Sequence, residues 1–130
     1  IVTAAKDADL MVEFLVPAII HADSDACGAS ILGAEESKFW HDHKAAKINA
    51  IRVRTLLAEA DVVVVRFGER YKQWNAAFDA GCCAALGKPY VTLHDESLVH
   101  PLKEVDAAAM AWATTPSQVV SILQYVIDSE

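Results

Sequence analysis

Four consecutive valines, Val62 to Val65, followed by Arg66 and Phe67, constrain the fold of this 130-residue chain more than any other feature. A continuous β-branched run of this length is too short for a helix and too apolar for a half-exposed strand. It suits a strand at the centre of a parallel sheet, buried on both faces. Parallel strands cannot be joined by tight turns, so such a strand needs a crossover of a dozen or more residues, usually helical. The sequence supplies one: residues 73–86 read as a helix rich in small side chains, stopped by Gly87 and Pro89, and residues 90–94 read as the next buried strand.

The same alternation extends in both directions. Residues 1–8 read as the tail of a helix that runs straight into a strand over residues 10–16. A long polar loop is expected over residues 17–40, marked by Asp23, Asp25, Gly28 and Gly33, and loops of that length are usually functional or mobile. Residues 44–59 read as a helix, with Ala46, Ala50, Val53 and Leu57 at steps of three and four along one face. Beyond the second buried strand come a short helix near residues 102–109, a weak strand near 110–113 and a final helix over 116–127. Pro116 falls in its first turn, where a missing N–H costs nothing. Alternation of this kind implies an α/β fold: a parallel sheet with right-handed crossovers and helices on both faces, a three-layer flavodoxin- or Rossmann-like architecture. Ligands in such folds bind beyond the carboxyl ends of the strands.

Length and composition narrow the functional classes. A chain of 14.1 kDa fits one domain, residues 1–130, and 54% apolar residues supply its core. Aromatics make up 8%, so Ala, Val, Ile and Leu must fill the interior. A formal charge of −7 argues against a nucleic-acid groove, because phosphate binding draws on clustered Lys and Arg. Cys27, Cys82 and Cys83 lack metal spacing and a plausible pairing, which points to a reducing, cytoplasmic compartment. No apolar run is long enough to span a bilayer, so no membrane association is expected.

The most informative stretch joins Phe67-Gly68-Glu69-Arg70-Tyr71-Lys72-Gln73-Trp74-Asn75 to Ala-Ala-Phe-Asp79-Ala-Gly81 and Gly87-Lys88-Pro89. With a helix start near Gln73, Asp79 falls under two turns from the N-terminus, where the helix dipole favours an anion close to the lip of the sheet. Ala76, Ala77, Ala80, Gly81, Ala84 and Ala85 would let this helix lie close to the sheet, and packing alone is the competing reading of the same residues. The segment resembles the nucleoside 2-deoxyribosyltransferase pattern, in which an acidic residue within a small-residue helix precedes Gly-Lys-Pro and the next strand. It is more closely similar to the YtoQ family, bacterial proteins of that fold, which shares residues 67–75, the Lys47-Ile48-Asn49 to Arg52 and Arg54 region, and His100-Pro101-Leu102-Lys103-Glu104. The resemblance covers almost the whole chain.

The resemblance implies strand order 2-1-3-4-5, with the first strand of that order absent from this sequence. On that basis we expect the natural protein to carry roughly 15–20 further residues at its N-terminus, enough for a strand and the start of a helix. It also implies a carboxylate nucleophile, Asp79, attacking the anomeric carbon of a nucleoside or nucleotide and expelling the base. Gln73, Trp74, Asn75, Gly68 and Glu69 are the expected substrate contacts, joined by Asn49 and Arg52 from the preceding helix. The transferases have Glu at the position of Asp79, and a non-catalytic nucleotide-binding or sensing module of the same fold is the alternative. Transferases of this fold share sites between subunits, so a homodimer or higher homo-oligomer is expected.

Other residues admit two readings. Lys44, Lys47, Arg52 and Arg54 could bind a phosphate or simply solvate a helix. Arg66 at a strand end needs a ligand or a partner such as Glu69 or Asp61. His41 and His43 point apart on a helix, so no metal site is expected, and no cofactor is called for. His94 and His100 read as polar lining with no base or nucleophile at a telling spacing.

Overall fold

A computed structural model describes residues 1–7, 10–15, 21–34, 36–68 and 74–128. The chain divides into two compact units, one comprising residues 1–14 and 61–130 and the other residues 15–60.

The first unit carries the sheet. Three parallel strands, β1 (Val63–Arg66), β2 (Tyr90–Leu93) and β3 (Ala111–Ala113), lie in the order β1-β2-β3. Val63 pairs with Tyr90 and Val91 with Ala111, so the strands run in step and end at one edge. Helices α1 (Val2–Asp7), α4 (Trp74–Leu86), α5 (Lys103–Ala108) and α6 (Pro116–Asp128) accompany them, giving a mixed α/β unit. The core forms around Val91, Leu93, Ala113 and Val119, with Val62, Val64, Ile122 and Leu123 packed against it. Helix α6 is amphipathic: Val119 and Val120 are buried, whereas Ser117, Gln118 and Ser121 face solvent.

Helix α4 ends in a Schellman turn. Gly87 adopts φ +69, Lys88 N–H donates to the Cys83 carbonyl at 2.9 Å, and Gly87 N–H donates to Ala84 at 3.3 Å. The chain then passes through Pro89 into β2. The helix packs inward through Ala80 and Cys83, with Ala76 and Ala77 half-buried. Gly81, Ala84 and Ala85, expected in the same close contact, instead face outward.

Two further expectations are corrected in this unit. Residues 10–15 form no strand; the Leu10 N–H donates to the Ala5 carbonyl and the Val12 N–H to the Leu10 carbonyl. A strand exists only through a partner, and an apolar run cannot by itself provide one. Val16 lies outside the described residues. Among those residues β1 is an edge strand with only Val65 fully buried, and the central, wholly buried strand is β2. The valine run marks a strand correctly, but burial depends on which neighbours flank it.

The second unit is a pair of helices, α2 (His21–Leu32) and α3 (Lys38–Glu59). The long loop expected over residues 17–40 is thus largely helical from His21 onward, and α3 begins six residues before the expected Lys44. Asp, Ser and Gly are turn formers in isolation, yet here Gly28 serves close approach. A Cβ on it would meet the Ala45 backbone nitrogen and the Lys44 Cβ, each at 2.5 Å. Ala45 and Leu57 are the buried positions of α3, while Ala46, expected on the packed face, is exposed. Gly33, at φ +94, terminates α2.

Candidate functional site

Because the three strands are parallel, the chain leaves each of them at the same edge of the sheet. Arg66, Phe67 and Gly68 leave β1, Leu93, His94 and Asp95 leave β2, and Thr114 and Pro116 follow β3; together they line a cleft of about 310 Å³. That volume is at the low end for ligand pockets, roughly 300–1,000 Å³. Two backbone bonds hold its floor: Phe67 N–H to Leu93 at 2.9 Å and His94 N–H to Ala113 at 3.0 Å. A second, shallower hollow of about 390 Å³ lies against Trp112, Ser117, Gln118, Ser121 and Ile122, and no ionisable side chain lines it.

Beneath the cleft sits a buried polar network. His94 Nδ1 lies 2.8 Å from the Asp95 carbonyl, and Nε2 lies 2.7 Å from Asp106 Oδ2. A carbonyl oxygen only accepts, so Nδ1 carries a proton and donates; Nε2 and the carboxylate share another. The Thr92 hydroxyl donates to Asp106 Oδ1 at 2.7 Å. Trp112 stacks on the imidazole with ring centroids 5.1 Å apart and donates its indole N–H to the His94 carbonyl at 3.3 Å. Both ring nitrogens are therefore committed, and the His94 side chain is fully buried. It is part of the floor of the cleft and has no lone pair to offer a substrate.

The upper wall is polar and ordered. Asp95 Oδ2 accepts the Ser97 N–H at 2.9 Å, and this bond holds the exposed carboxyl below its ordinary range. Gln118 Oε1 accepts the Thr114 N–H at 2.7 Å, the Thr114 hydroxyl at 2.9 Å and the Thr115 N–H at 3.2 Å. Those backbone donors require an oxygen, which fixes the orientation of the Gln118 amide.

The sequence matches the family described as Nucleoside 2-deoxyribosyltransferase YtoQ over residues 1–127. The chain belongs to this family. A relative from Bacillus subtilis (strain 168), named Uncharacterized protein YtoQ, is 39% identical over 125 residues, which cover 96% of this chain and 84% of the relative.

Within this YtoQ family chain, Asp79 is half-buried in the second turn of α4, and desolvation by burial raises its pKa. One turn further on, burial pushes the Cys83 thiol up, with the charge of Asp79 adding to the effect, so Cys83 is an inert core residue. Asp79 is not among the residues lining the cleft, whereas Gly68 is. Trp74, 71% exposed, and Asn75, also exposed, form the first turn of α4. Glu69 and Gln73 lie outside the described residues. Asn49 and Arg52 belong to the other unit: Asn49 donates to Cys27 Sγ at 3.7 Å between α2 and α3, and Arg52 is exposed.

No group of three or more His, Cys, Asp or Glu that could hold a metal occurs among the described residues, and none of the described helices is long and apolar enough to cross a membrane. Sequence reasoning missed the His94–Asp106 pair, Asp95 and Thr114. The available signal was positional, since His94-Asp95 and Thr114-Thr115 stand directly after buried strands. Asp106 carried no local signal.

Proposed function

We propose that the chain cleaves or transfers the N-glycosidic bond of a nucleoside or nucleotide, with Asp79 as a carboxylate nucleophile. Attack of the Asp79 oxygen on the anomeric carbon breaks the C–N bond, and its electron pair and a proton go to the departing base. A second base or water then attacks the glycosyl ester and frees the carboxylate. The observation that carries this reading is the half-buried Asp79, partly stripped of water within two turns of the start of α4. Membership of a family described as nucleoside 2-deoxyribosyltransferase supports it. Trp74 would stack on the base and Asn75 would hydrogen-bond it, with Gln73, Glu69 and Gly68 as further contacts. The three parallel strands would then be the 3-4-5 half of a 2-1-3-4-5 sheet.

Release of free base from a panel of deoxynucleosides and deoxynucleotides tests the reading, with Asp79→Ala abolishing it. A second reading, ligand binding without chemistry, is favoured by the absence of Asp79 from the described lining of the cleft. It predicts binding with no base released. In either case the protein works as a homodimer or larger assembly in a reducing cytoplasm. Exposed Trp74, Phe78 and Leu86 on α4 favour association. A concentration-independent monomer mass would count against it.

A further inference from the structure

The geometry points to a second binding site outside the strand-end cleft: the hollow of about 390 Å³ beside Trp112 takes a neutral, flat heteroaromatic ring with an N–H and a C=O on its edge. This site does not depend on the glycosidic reading and stands without it.

Bonds made elsewhere fix what each lining side chain has left to offer. Trp112, on β3, is 39% exposed. One face of its ring stacks on His94 at an interplanar angle of 22°, and its N–H is given to the His94 carbonyl. It therefore brings only ring surface to the hollow. His94 is itself held by the Asp95 carbonyl and the Asp106 carboxylate, so the indole rests on a support that is in place before any ligand arrives. Gln118 Oε1 accepts from the Thr114 N–H, the Thr114 hydroxyl and the Thr115 N–H, which leaves its Nε2 as a donor with no partner among the described residues. Ser121 gives its proton to the Ser117 carbonyl at 3.0 Å, so its oxygen keeps lone pairs for an incoming donor. Gln118 and Ser121 stand three residues apart on α6 and are neighbours on its surface. Ile122 adds apolar area.

This inventory selects the ligand. An ionised molecule would give up hydration without meeting a counter-charge, because no ionisable side chain lines the hollow. A hydrocarbon ring would cover Gln118 Nε2 and Ser121 Oγ without replacing their bonds to water. A flat ring with a C=O beside an N–H satisfies both: its carbonyl takes the Gln118 donor, its N–H goes to Ser121, and its face lies against the indole.

The experiment titrates uracil into the full chain and follows backbone amide NMR shifts. Trp112, Gln118, Ser121 and Ile122 should move saturably. 1,3-Dimethyluracil keeps the ring and its carbonyls but has no N–H, and should bind about fivefold more weakly or worse. Methyl α-D-glucoside, which offers hydroxyls without a flat face, should leave these residues unmoved. Gln118→Glu keeps the oxygen that takes the Thr114 and Thr115 N–H groups but loses the amide donor, and should weaken uracil binding about tenfold. Ser121→Ala, at an exposed position, should weaken it severalfold and gives an independent reading if Gln118→Glu fails to fold. Shifts confined to Gly68 and Asp95, equal binding of 1,3-dimethyluracil or of the glucoside, unchanged affinity in both variants, or no shifts at all overturns the inference. The outcome is separable from the catalytic reading. Base release can be absent with this hollow occupied, and it can persist when uracil leaves the hollow untouched.

Discussion

His94 Nε2 and Asp106 Oδ2 lie 2.7 Å apart across twelve residues of sequence, joining the end of β2 to α5 under the cleft floor. The carboxylate also receives the Thr92 hydroxyl, so one side chain satisfies two buried polar groups. Tyr90 makes a parallel tie, its hydroxyl donating to the Val105 carbonyl at 2.6 Å. Alternate side chains of β2 thus anchor the helix that carries Asp106.

Asp106→Ala should destabilise the fold by about 1–3 kcal/mol, because it leaves His94 and Thr92 buried without their acceptor. Urea unfolding measures this directly. A change within about 0.5 kcal/mol, typical of a surface substitution, would show that the network does not contribute as described.

Two glycines in helices should respond with opposite signs to alanine. At Gly28 the added Cβ meets the backbone of α3 at 2.5 Å, which cannot move without separating the helices, and overpacking of this kind costs about 1–3 kcal/mol. At Gly81 the Cβ meets nothing within 4 Å, and exchange for a better helix former should stabilise by about 1 kcal/mol. Melting temperatures of the two variants should move in opposite directions.

Gly87→Ala places a side chain at φ +69 in the turn that ends α4. The left-handed conformation costs roughly 1–2 kcal/mol for a residue with a Cβ. The loss should appear in denaturant unfolding although the new methyl touches nothing within 4 Å.

Asp79 and Asp95 should affect acid stability with opposite signs. Burial raises the pKa of Asp79, so between the ordinary carboxylate value of about 3.9 and the raised value the folded state binds more protons than the unfolded chain. Stability conferred through Asp79 therefore falls as pH rises through that window. Asp79→Asn should be more stable than the parent at pH 7, with the advantage fading below about pH 4. Asp95 has a lowered pKa, so its contribution is present above about pH 3.9 and is lost as pH falls through its folded value. Urea midpoints across pH 3 to 7 check both, and a loss of stability in Asp79→Asn at pH 7 would contradict the sign given for Asp79.

Elements with local signals were legible in the order of residues. The valine run, the Gly87-Lys88-Pro89 stop, the strand at Tyr90 and the Pro116 helix start all depend on backbone conformations that a few adjacent residues dictate. Family membership was equally legible, because it resides in the order of residues. Other features depend on contacts between distant parts of the chain. Residues 10–15 are apolar like a buried strand but pair with none among the described residues, and Gly28 resembles a turn residue but is selected by a backbone that approaches within 2.5 Å of where its Cβ would stand. The candidate site divides in the same way. Asp79 was found from its place on a helix, whereas the cleft of Arg66, Asp95 and Thr114 over His94 and Asp106 draws its members from three strand ends and a helix. Residues brought together only by parallel pairing and a crossover share a site without sharing a sequence signal, because the hydrogen bonds that join them exist only once the sheet has formed.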